Sequence, residues 1–239
     1  MVEIIDGVKI ARRIEARLKF SGITPCLAVL VFKDDAAGQL YARLKAEAAQ
    51  RLGIKFIQSE DETMIGKWNQ DDSIHGILTQ RPGYRGQEFE KYWDKLVLKI
   101  APEKDVDGLR PDSKFIPATV KAVEKILATL PPRGGNVLVV GRGMIGKQLA
   151  ARFQVSAISS KAKNLEEKCH QADILITACG RENLIKTVKP GAVVIDIGWP
   201  KGDVDFDSIK AVAGAITPVP GGVGPVTVVC LLENLLRAV

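Results

Sequence analysis

The sequence predicts an α/β protein built as two α/β lobes around a cleft, the second of them a Rossmann-type parallel sheet. Three features favour this class. Short apolar runs rich in β-branched residues alternate with helical segments along most of the 239 residues. The breaker cluster PPRGG at 131–135 interrupts this alternation. Directly after it, NVLVV at 136–140 leads into a glycine-rich turn and a new helix.

The first lobe is predicted to hold strands joined by helices. Its strand-like runs are CLAVLVF at 26–32, KFIQSE at 55–60 and IHGILTQ at 74–80. Apolar residues at helical spacing predict helices over 6–20, 37–54 and 86–100, and a further helix is predicted to begin near Thr119. Gly53 is expected to end the helix that follows the first strand.

The second lobe continues the pattern with short connections. Besides NVLVV, its strand-like runs are VSAISS at 155–160, DILITAC at 173–179, VVIDIG at 193–198 and GAITPV at 214–219. Continuous apolar runs of this kind suit a parallel sheet that is buried on both faces. We expect residues 1–119, completed by a C-terminal helix at 222–239, to form the first lobe, and residues 120–221 to form the second.

Composition excludes several classes of protein. Hydrophobic residues make up 46% of the chain, but no run of eighteen apolar residues suggests a membrane span, and the N-terminal stretch has no apolar signal core, so a cytoplasmic protein is expected. The net charge is +6, yet basic residues are mixed with acidic ones, a pattern that predicts solvated helix faces and no nucleic-acid partner. A phosphorylated cofactor or small polyanionic substrate would suit this mild positive charge.

Cysteine and histidine offer little material for metal or triad chemistry. The four cysteines form no CxxC pair, which predicts free thiols. There are only two histidines, and we expect His75 to make a local hydrogen bond.

The segment VLVVGRGMIGKQLA carries a G-x-G-x-x-G pattern between a strand and a helix. Gly141 would allow the tight turn, Gly143 would let a pyrophosphate approach the backbone, and Gly146 would let helix and strand pack closely. The N-terminus of the helix would then face the phosphates. The pattern in this context predicts dinucleotide binding.

The residues after the next strand bear on which dinucleotide binds. A site for NAD usually has an acidic residue about 20 positions beyond the turn, and here no acid occurs before Glu166. Ser159, Ser160 and Lys161, with Arg142 from the turn, could instead meet a ribose 2′-phosphate. NADP is therefore predicted, with NAD as the alternative.

Polar residues at strand ends and loops of the first lobe form a second candidate site. Tyr41 and Lys45 stand four apart and share a helix face. Gln80 ends an apolar strand, and KDVDG at 104–108 places Asp107 in a turn. Together they would line a polar pocket in which a lysine could lose its proton readily and act as an acid or base.

The chain resembles the bifunctional methylenetetrahydrofolate dehydrogenase/methenyltetrahydrofolate cyclohydrolase (FolD) family. The matching segments run along the whole chain: YARLK (41–45), GILTQ (76–80), KDVDG (104–108), GRGMIGK (141–147), ADILITACG (172–180), KPGAVVIDIG (189–198) and ITPVPGGVGP (216–225). The last of these is the most specific.

The resemblance implies a folate enzyme of one-carbon metabolism. It would oxidise 5,10-methylenetetrahydrofolate with NADP and hydrolyse the methenyl product to 10-formyltetrahydrofolate. Lys45 would be the catalytic lysine, Gln80 would hold its protonation state, Tyr41 would orient the folate and Asp107 would grip the pterin ring. Folate would also contact the loop residues Pro220, Gly221 and Gly222.

The resemblance also implies a cofactor site and a quaternary structure. The cofactor would contact the turn and three later loops, through Gly141, Arg142, Gly143, Met144, Ile145, Gly146, Ser159, Ser160, Lys161, Cys179, Gly180 and Thr217. PVPGGVGP would connect the lobes and line the cleft, with Gly221 and Gly222 leaving room for a ligand beside bare backbone. The family is dimeric, so a homodimer is expected.

The chain departs from the family pattern in four places. The usual QLPLP is QRPGYRG at 80–86, PCTPxG is PATVKA at 117–122, and the turn GRSxxVGxP is one residue shorter. Ser159 stands where the family has histidine. These changes concern the cofactor site more than the cyclohydrolase residues.

Two other NADP proteins and a nucleic-acid binder are the alternatives. A shikimate dehydrogenase-like reductase also pairs a lysine with an aspartate, but PVPGGVGP argues against it. A non-enzymatic NADP-binding module would not need Tyr41, Lys45, Gln80 and Asp107 together. Only the net charge suggests a nucleic-acid binder.

Overall fold

The computed structural model describes residues 2–18, 22–82, 86–132 and 134–239. Gly83, Tyr84 and Arg85 of the QRPGYRG segment lie outside the described residues. The chain divides into two compact units. Met1–Arg13 and Thr119–Thr227 form the six-strand unit, and Ile14–Ala118 with Val228–Val239 form the three-strand unit.

The six-strand unit is built on a parallel sheet in the order β1-β9-β8-β7-β5-β6. Its strands are β1 (Glu3–Ile4), β5 (Val137–Val140), β6 (Ala157–Ile158), β7 (Ile174–Thr177), β8 (Val193–Asp196) and β9 (Ala215–Ile216). Its helices are α1 (Gly7–Glu15), α5 (Ala118–Leu127), α6 (Met144–Arg152), α7 (Leu165–Gln171), α8 (Phe206–Lys210) and the start of α9 (Val223–Arg237). Strands β7 and β8 are buried at every position, as expected for a parallel sheet that is covered on both faces.

The three-strand unit has a parallel sheet in the order β3-β2-β4. Its strands are β2 (Cys26–Leu30), β3 (Lys55–Ser59) and β4 (Gly76–Thr79), and its helices are α2 (Ala36–Arg51), α3 (Met64–Gln70) and α4 (Gln87–Leu98), followed by a 3₁₀ turn at Pro102–Lys104. The later part of α9 belongs to this unit, where Asn234 donates hydrogen bonds to the carbonyl oxygens of Val106 and Ile116.

Each unit has its own hydrophobic core. In the three-strand unit, Trp68 and Trp93 pack with Leu30 of β2 and Ile77 of the neighbouring β4. In the six-strand unit, Val140, Leu175 and Val194 from neighbouring strands pack with Ile209 of α8. Burial of these apolar side chains is the main force that stabilises each unit.

The predicted α/β class and parallel sheets are confirmed, and three short elements were not predicted. These are β1, α3 and α8. The structure places residues 1–13 with the six-strand unit, whereas the sequence placed them in the first lobe, because β1 pairs with β9. His75 makes the expected local hydrogen bond, accepting from the backbone N–H of Cys26 at 3.1 Å. Among the described residues, no helix combines the length and the apolar character needed to cross a membrane.

Candidate functional site

Lys45 is the central residue of the polar group in the three-strand unit. It lies on α2 with only 4% of its surface exposed. Its Nζ donates a hydrogen bond to Gln80 Oε1 at 2.5 Å and stands 4.0 Å from the centre of the Tyr41 ring, one helical turn earlier. The structure therefore places Tyr41 and Gln80 in direct contact with Lys45. The sequence predicted that these three residues would lie together.

Gln80 is held at the end of strand β4. It follows β4 directly, and its backbone N–H donates to the carbonyl oxygen of Leu30 at 2.7 Å, at the end of the neighbouring β2. Helix α2 begins shortly after β2, so the helix and Gln80 both lie at the carboxyl ends of parallel strands. Ligand sites of open α/β sheets are found at this edge.

The KDVDG turn is fixed by both backbone and side-chain contacts. Asp105 forms a parallel bridge to Ile77, and its carboxylate accepts from the backbone N–H of Arg110 at 2.8 Å. Gly108 has a φ of +72°, and a Cβ there would lie 2.8 Å from the backbone of Phe115 and Pro117. These contacts hold in place the turn that carries Asp107.

Lys45 and Asp107 each act on the pKa of the other. Burial lowers the pKa of Lys45, and the negative charge of Asp107 opposes that fall. Burial also raises the pKa of Asp107; the positive charge of Lys45 opposes this rise, and Asp105 adds to it. A lysine whose pKa is lowered, which donates a hydrogen bond to an amide and feels the charge of a carboxylate, can exchange a proton near neutral pH.

The glycine turn of the six-strand unit has the geometry of a dinucleotide turn. A Cβ on Gly141 would lie 2.2 Å from the carbonyl oxygen of Ala178, and one on Gly146 would lie 2.0 Å from the carbonyl oxygen of Gly141. A Cβ on Gly143 would meet no atom within 4 Å. Two of the glycines are therefore required by packing, whereas Gly143 leaves open space at the N-terminus of α6, where a pyrophosphate would bind.

The residues predicted to select the nucleotide lie near this turn. Arg142 is exposed, and its Nε donates to the carbonyl oxygen of Ala157 at 3.1 Å, at the start of β6. Ser159 and Ser160 follow β6 and are half-buried, and the Ser159 hydroxyl accepts from the backbone N–H of Lys161 at 3.1 Å. Met144 and Ile145 are half-buried in the first turn of α6.

The loop after β7 also lies beside the glycine turn. The backbone N–H of Ala178 donates to the carbonyl oxygen of Val140, and the Cys179 thiol donates to the same oxygen at 3.3 Å. Burial and the neighbouring Asp203 raise the pKa of Cys179 to about 12, so its thiol stays protonated. Gly180, at the tip, is exposed and has a φ of +63°.

Two of the residues predicted to contact ligands also make contacts within the protein, and their ligand roles stay predictions. Thr217 is fully buried, and its hydroxyl accepts from the backbone N–H of Asp196 at 2.8 Å, so it joins β8 to the end of β9. A Cβ on Gly222 would lie 2.5 Å from the carbonyl oxygen of Pro218, so the loop's own packing requires this glycine. Gly221 has a φ of +105° and is open, and Pro220 is exposed.

The sequence analysis missed several residues that position the site. Asn234 of α9 donates one hydrogen bond to the carbonyl oxygen of Val106 in KDVDG and another to that of Ile116. Asp196 accepts hydrogen bonds from the backbone N–H groups of Gly198, Asp203 and Val204. An amide in an otherwise apolar helix and an acid ending a buried strand were the available signals, since buried polar groups need partners.

Comparison with known proteins identifies the family. Residues 5–107 match the catalytic domain, and residues 117–239 the NAD(P)-binding domain, of the family described as tetrahydrofolate dehydrogenase/cyclohydrolase. A bifunctional protein FolD of Methanoculleus marisnigri is 37% identical over 274 aligned positions, which cover 98% of this chain and 95% of the relative.

Solved structures agree. The bifunctional FolD methylenetetrahydrofolate dehydrogenase/cyclohydrolase from Campylobacter jejuni has a TM-score of 0.85 and 32% identity, covering 100% of this chain and 98% of its own. A 5,10-methylenetetrahydrofolate dehydrogenase from the silkworm Bombyx mori has a TM-score of 0.83 with the same identity and coverage. The chain belongs to the tetrahydrofolate dehydrogenase/cyclohydrolase family.

Proposed function

We propose that the chain oxidises 5,10-methylenetetrahydrofolate to the methenyl form with NADP, and hydrolyses that product to 10-formyltetrahydrofolate. The contact of Lys45 with both Gln80 and Tyr41 carries this proposal, because it supplies a buried amine with a lowered pKa at the carboxyl ends of the strands. The open backbone at Gly143, in front of α6, fits the pyrophosphate of a dinucleotide.

Lys45 would act in the hydrolysis. Its neutral amine would take a proton from the water that attacks the methenyl carbon. The same proton would be returned to the ring nitrogen when the carbon–nitrogen bond breaks and the formyl group is released. Gln80 would hold Nζ in place through its 2.5 Å hydrogen bond, and the Tyr41 ring would orient the folate beside the amine.

Asp107 would bind the pterin ring. A carboxylate accepts hydrogen bonds from ring N–H and amino groups, and the turn that carries Asp107 is anchored by Asp105 and Asn234. When bound, the dinucleotide supplies the hydride acceptor, and the protein's contribution to that step is to position the two reactants.

Ser159, Ser160 and Lys161 favour NADP over NAD. They follow β6, where an acidic residue would otherwise meet a ribose 2′-hydroxyl, and the exposed Arg142 lies beside β6 as well. A cation and hydroxyls at this position suit a 2′-phosphate.

A second copy of this chain would form a homodimer through the three-strand unit. Leu40 and Leu44 are 46% and 40% exposed one turn apart on α2, and β3 lies at the edge of its sheet. An apolar pair beside an edge strand is typical of a surface that a partner covers. Sedimentation should show a dimer, and Leu44→Glu should shift it to a monomer.

One spectrophotometric experiment tests the proposed activities. The protein is given 5,10-methylenetetrahydrofolate with NADP or NAD, and the absorbance of the methenyl product is followed. We expect NADP-dependent formation of the methenyl form, followed by decay faster than in buffer. Absence of both signals would contradict the proposed function, and turnover of shikimate with NADP would replace it by the reductase alternative.

A further inference from the structure

The loop after β7 folds around the carboxylate of a residue distant in sequence. Asp203 Oδ2 accepts from the backbone N–H of Cys179 at 2.6 Å, and its Oδ1 accepts from the backbone N–H of Arg181 at 2.7 Å. The left-handed conformation of Gly180 lies between these two donors. Successive N–H groups arranged in this way form a concave anion site, and here the anion is supplied by the chain itself.

Asp203 is anchored from behind. It is fully buried, and its own backbone N–H donates to Asp196 Oδ1 at 3.0 Å. Asp196 ends β8 and accepts from the hydroxyl of Thr177, which ends β7, at 3.1 Å. The carbonyl oxygen of Asp203 also accepts from the backbone N–H of Ile185. The loop at 179–181 is thus tied through two carboxylates to the ends of two central strands.

The far face of the loop is open and lies beside the glycine turn. A Cβ on Gly180 would meet no atom within 4 Å, whereas a Cβ on Gly141 would lie 2.2 Å from Ala178. Strands β5 and β7 are direct neighbours, so the two loops follow adjacent strand ends. A dinucleotide on the glycine turn would therefore pass next to residues 179–181.

We propose that Asp203 is a positioning residue for dinucleotide binding, holding the backbone of Cys179–Arg181 in the shape that faces the nucleotide. It touches no ligand and acts through the loop. This inference rests on the proposed function of the glycine turn as the cofactor site. The charge matters as well as the shape, because a carboxylate can accept from both N–H groups, whereas the amide of asparagine would turn an NH₂ group toward one of them.

The buried carboxylate of Asp203 depends on the groups that surround it. Burial raises the pKa of Asp203, the N–H groups of the loop oppose the rise, and Asp196 adds to it. The Cys179 thiol is near enough for the charge of Asp203 to add to the burial that raises the pKa of that thiol. Buried charges of this kind are tolerated only when their hydrogen bonds are complete.

The test compares three variants with the wild-type protein. We expect Asp203→Asn to lower dehydrogenase kcat/KM for NADP by about tenfold to a hundredfold, mainly through KM, as for the loss of a charged hydrogen bond. Hydrolysis of added methenyltetrahydrofolate, which uses Lys45 of the other unit, should stay within about twofold. Asp203→Glu keeps the charge, so its dehydrogenase kcat/KM for NADP should fall less than that of Asp203→Asn.

Asp205→Asn is the matched control. Asp205 lies two residues away and caps α8, accepting from the backbone N–H of Ser208 at 3.3 Å. Since asparagine caps helices as well as aspartate does, both activities of this variant should equal those of the wild type.

The outcomes separate the inference from the function on which it rests. An unchanged NADP dissociation constant in Asp203→Asn, with normal binding by the wild type, would overturn the inference alone. A parallel loss of both activities in Asp203→Asn and Asp203→Glu would also overturn it, since the carboxylate would then only maintain the fold. Failure of the wild-type protein to bind NADP or NAD would overturn the proposed function and the inference with it.

Discussion

Replacing Lys45 with methionine should remove the hydrolysis of methenyltetrahydrofolate without unfolding the protein. Methionine keeps the length and apolar stem of lysine but has no proton to exchange. Positioned acid–base groups contribute about 10²- to 10⁴-fold to a rate, so kcat should fall by at least about a hundredfold. Binding of NADP, which uses the six-strand unit, should be unchanged.

The stability of Lys45→Met can be worked out from the same burial. Burial lowers the pKa of Lys45 from 10.5 to about 8, which corresponds to a cost of about 3 kcal/mol for keeping it protonated in the fold. Because the folded pKa lies below the unfolded one, this cost is complete below pH 8 and disappears as the pH rises toward 10.5. Methionine removes the cost but leaves Gln80 Oε1 without its donor, a loss of about 1–3 kcal/mol. The melting temperature at pH 7 should therefore stay the same or rise slightly.

The assay follows the decay of methenyl absorbance above the buffer rate, with thermal unfolding measured on the same sample. Lys91→Met is the control, since the Lys91 side chain is 72% exposed and its ion-pair partner in the part of the chain that the structure describes is the exposed Glu88. Undiminished hydrolysis by Lys45→Met would refute the assignment of the proton carrier. A large fall in melting temperature would refute the account of the buried charge.

Three further results are expected. The hydrolysis rate should rise from about pH 6 through pH 8 as Lys45 loses its proton and level off above about pH 9, because burial lowers its pKa to about 8; a flat profile from pH 6 to 9 would contradict this role. Asp107→Asn should weaken folate binding by about tenfold or more, as equilibrium titration would show, since an amide replaces a charged acceptor. Gly143→Ala should weaken NADP binding without lowering the melting temperature. Gly141→Ala should weaken binding and also lower the melting temperature, because only a Cβ at Gly141 would meet protein atoms. An equal fall in melting temperature in the two variants would contradict the assignment of open space to Gly143.

Local patterns predicted most of the fold because most strands and helices show their own pattern of apolar residues in the sequence. The runs containing β2, β4, β7 and β8 are apolar at successive positions, and each strand is buried throughout. Strand β1 has only two residues and exists through its pairing with β9, more than 200 positions later. No local pattern can predict such a strand, and the assignment of the N-terminus to the wrong unit followed from that.

The same distinction explains which site residues were predicted well. Gln80 and Lys45 were found because a polar side chain after an apolar strand and a lysine on a helix face are visible locally, and the structure joins them at 2.5 Å. Gly222 and Thr217 were assigned to ligands because a glycine- and proline-rich loop predicts open backbone. The structure also shows Gly222 against Pro218 and Thr217 bonded to Asp196. These contacts depend on how the loop packs on itself and on β8, which a local pattern does not show.

Gly76 of the three-strand unit shows how residues distant in sequence pack around the elements that position Lys45. A Cβ on Gly76 would lie 2.7 Å from Leu235 Cδ1 and 2.8 Å from Val106, so β4, α9 and the KDVDG turn meet at this point. Asn234, one residue before Leu235, donates to the carbonyl oxygen of Val106 at 2.9 Å, next to Asp107. Since Gln80, the partner of Lys45, directly follows β4, helix α9 contacts both the turn and the strand that bear on the lysine. Asn234→Ala should therefore lower the free energy of unfolding by about 1–3 kcal/mol, because two carbonyl oxygens lose their donor. It should also raise the Kd for folate, because the turn that carries Asp107 loosens; a stability loss with unchanged folate affinity would confine Asn234 to the fold.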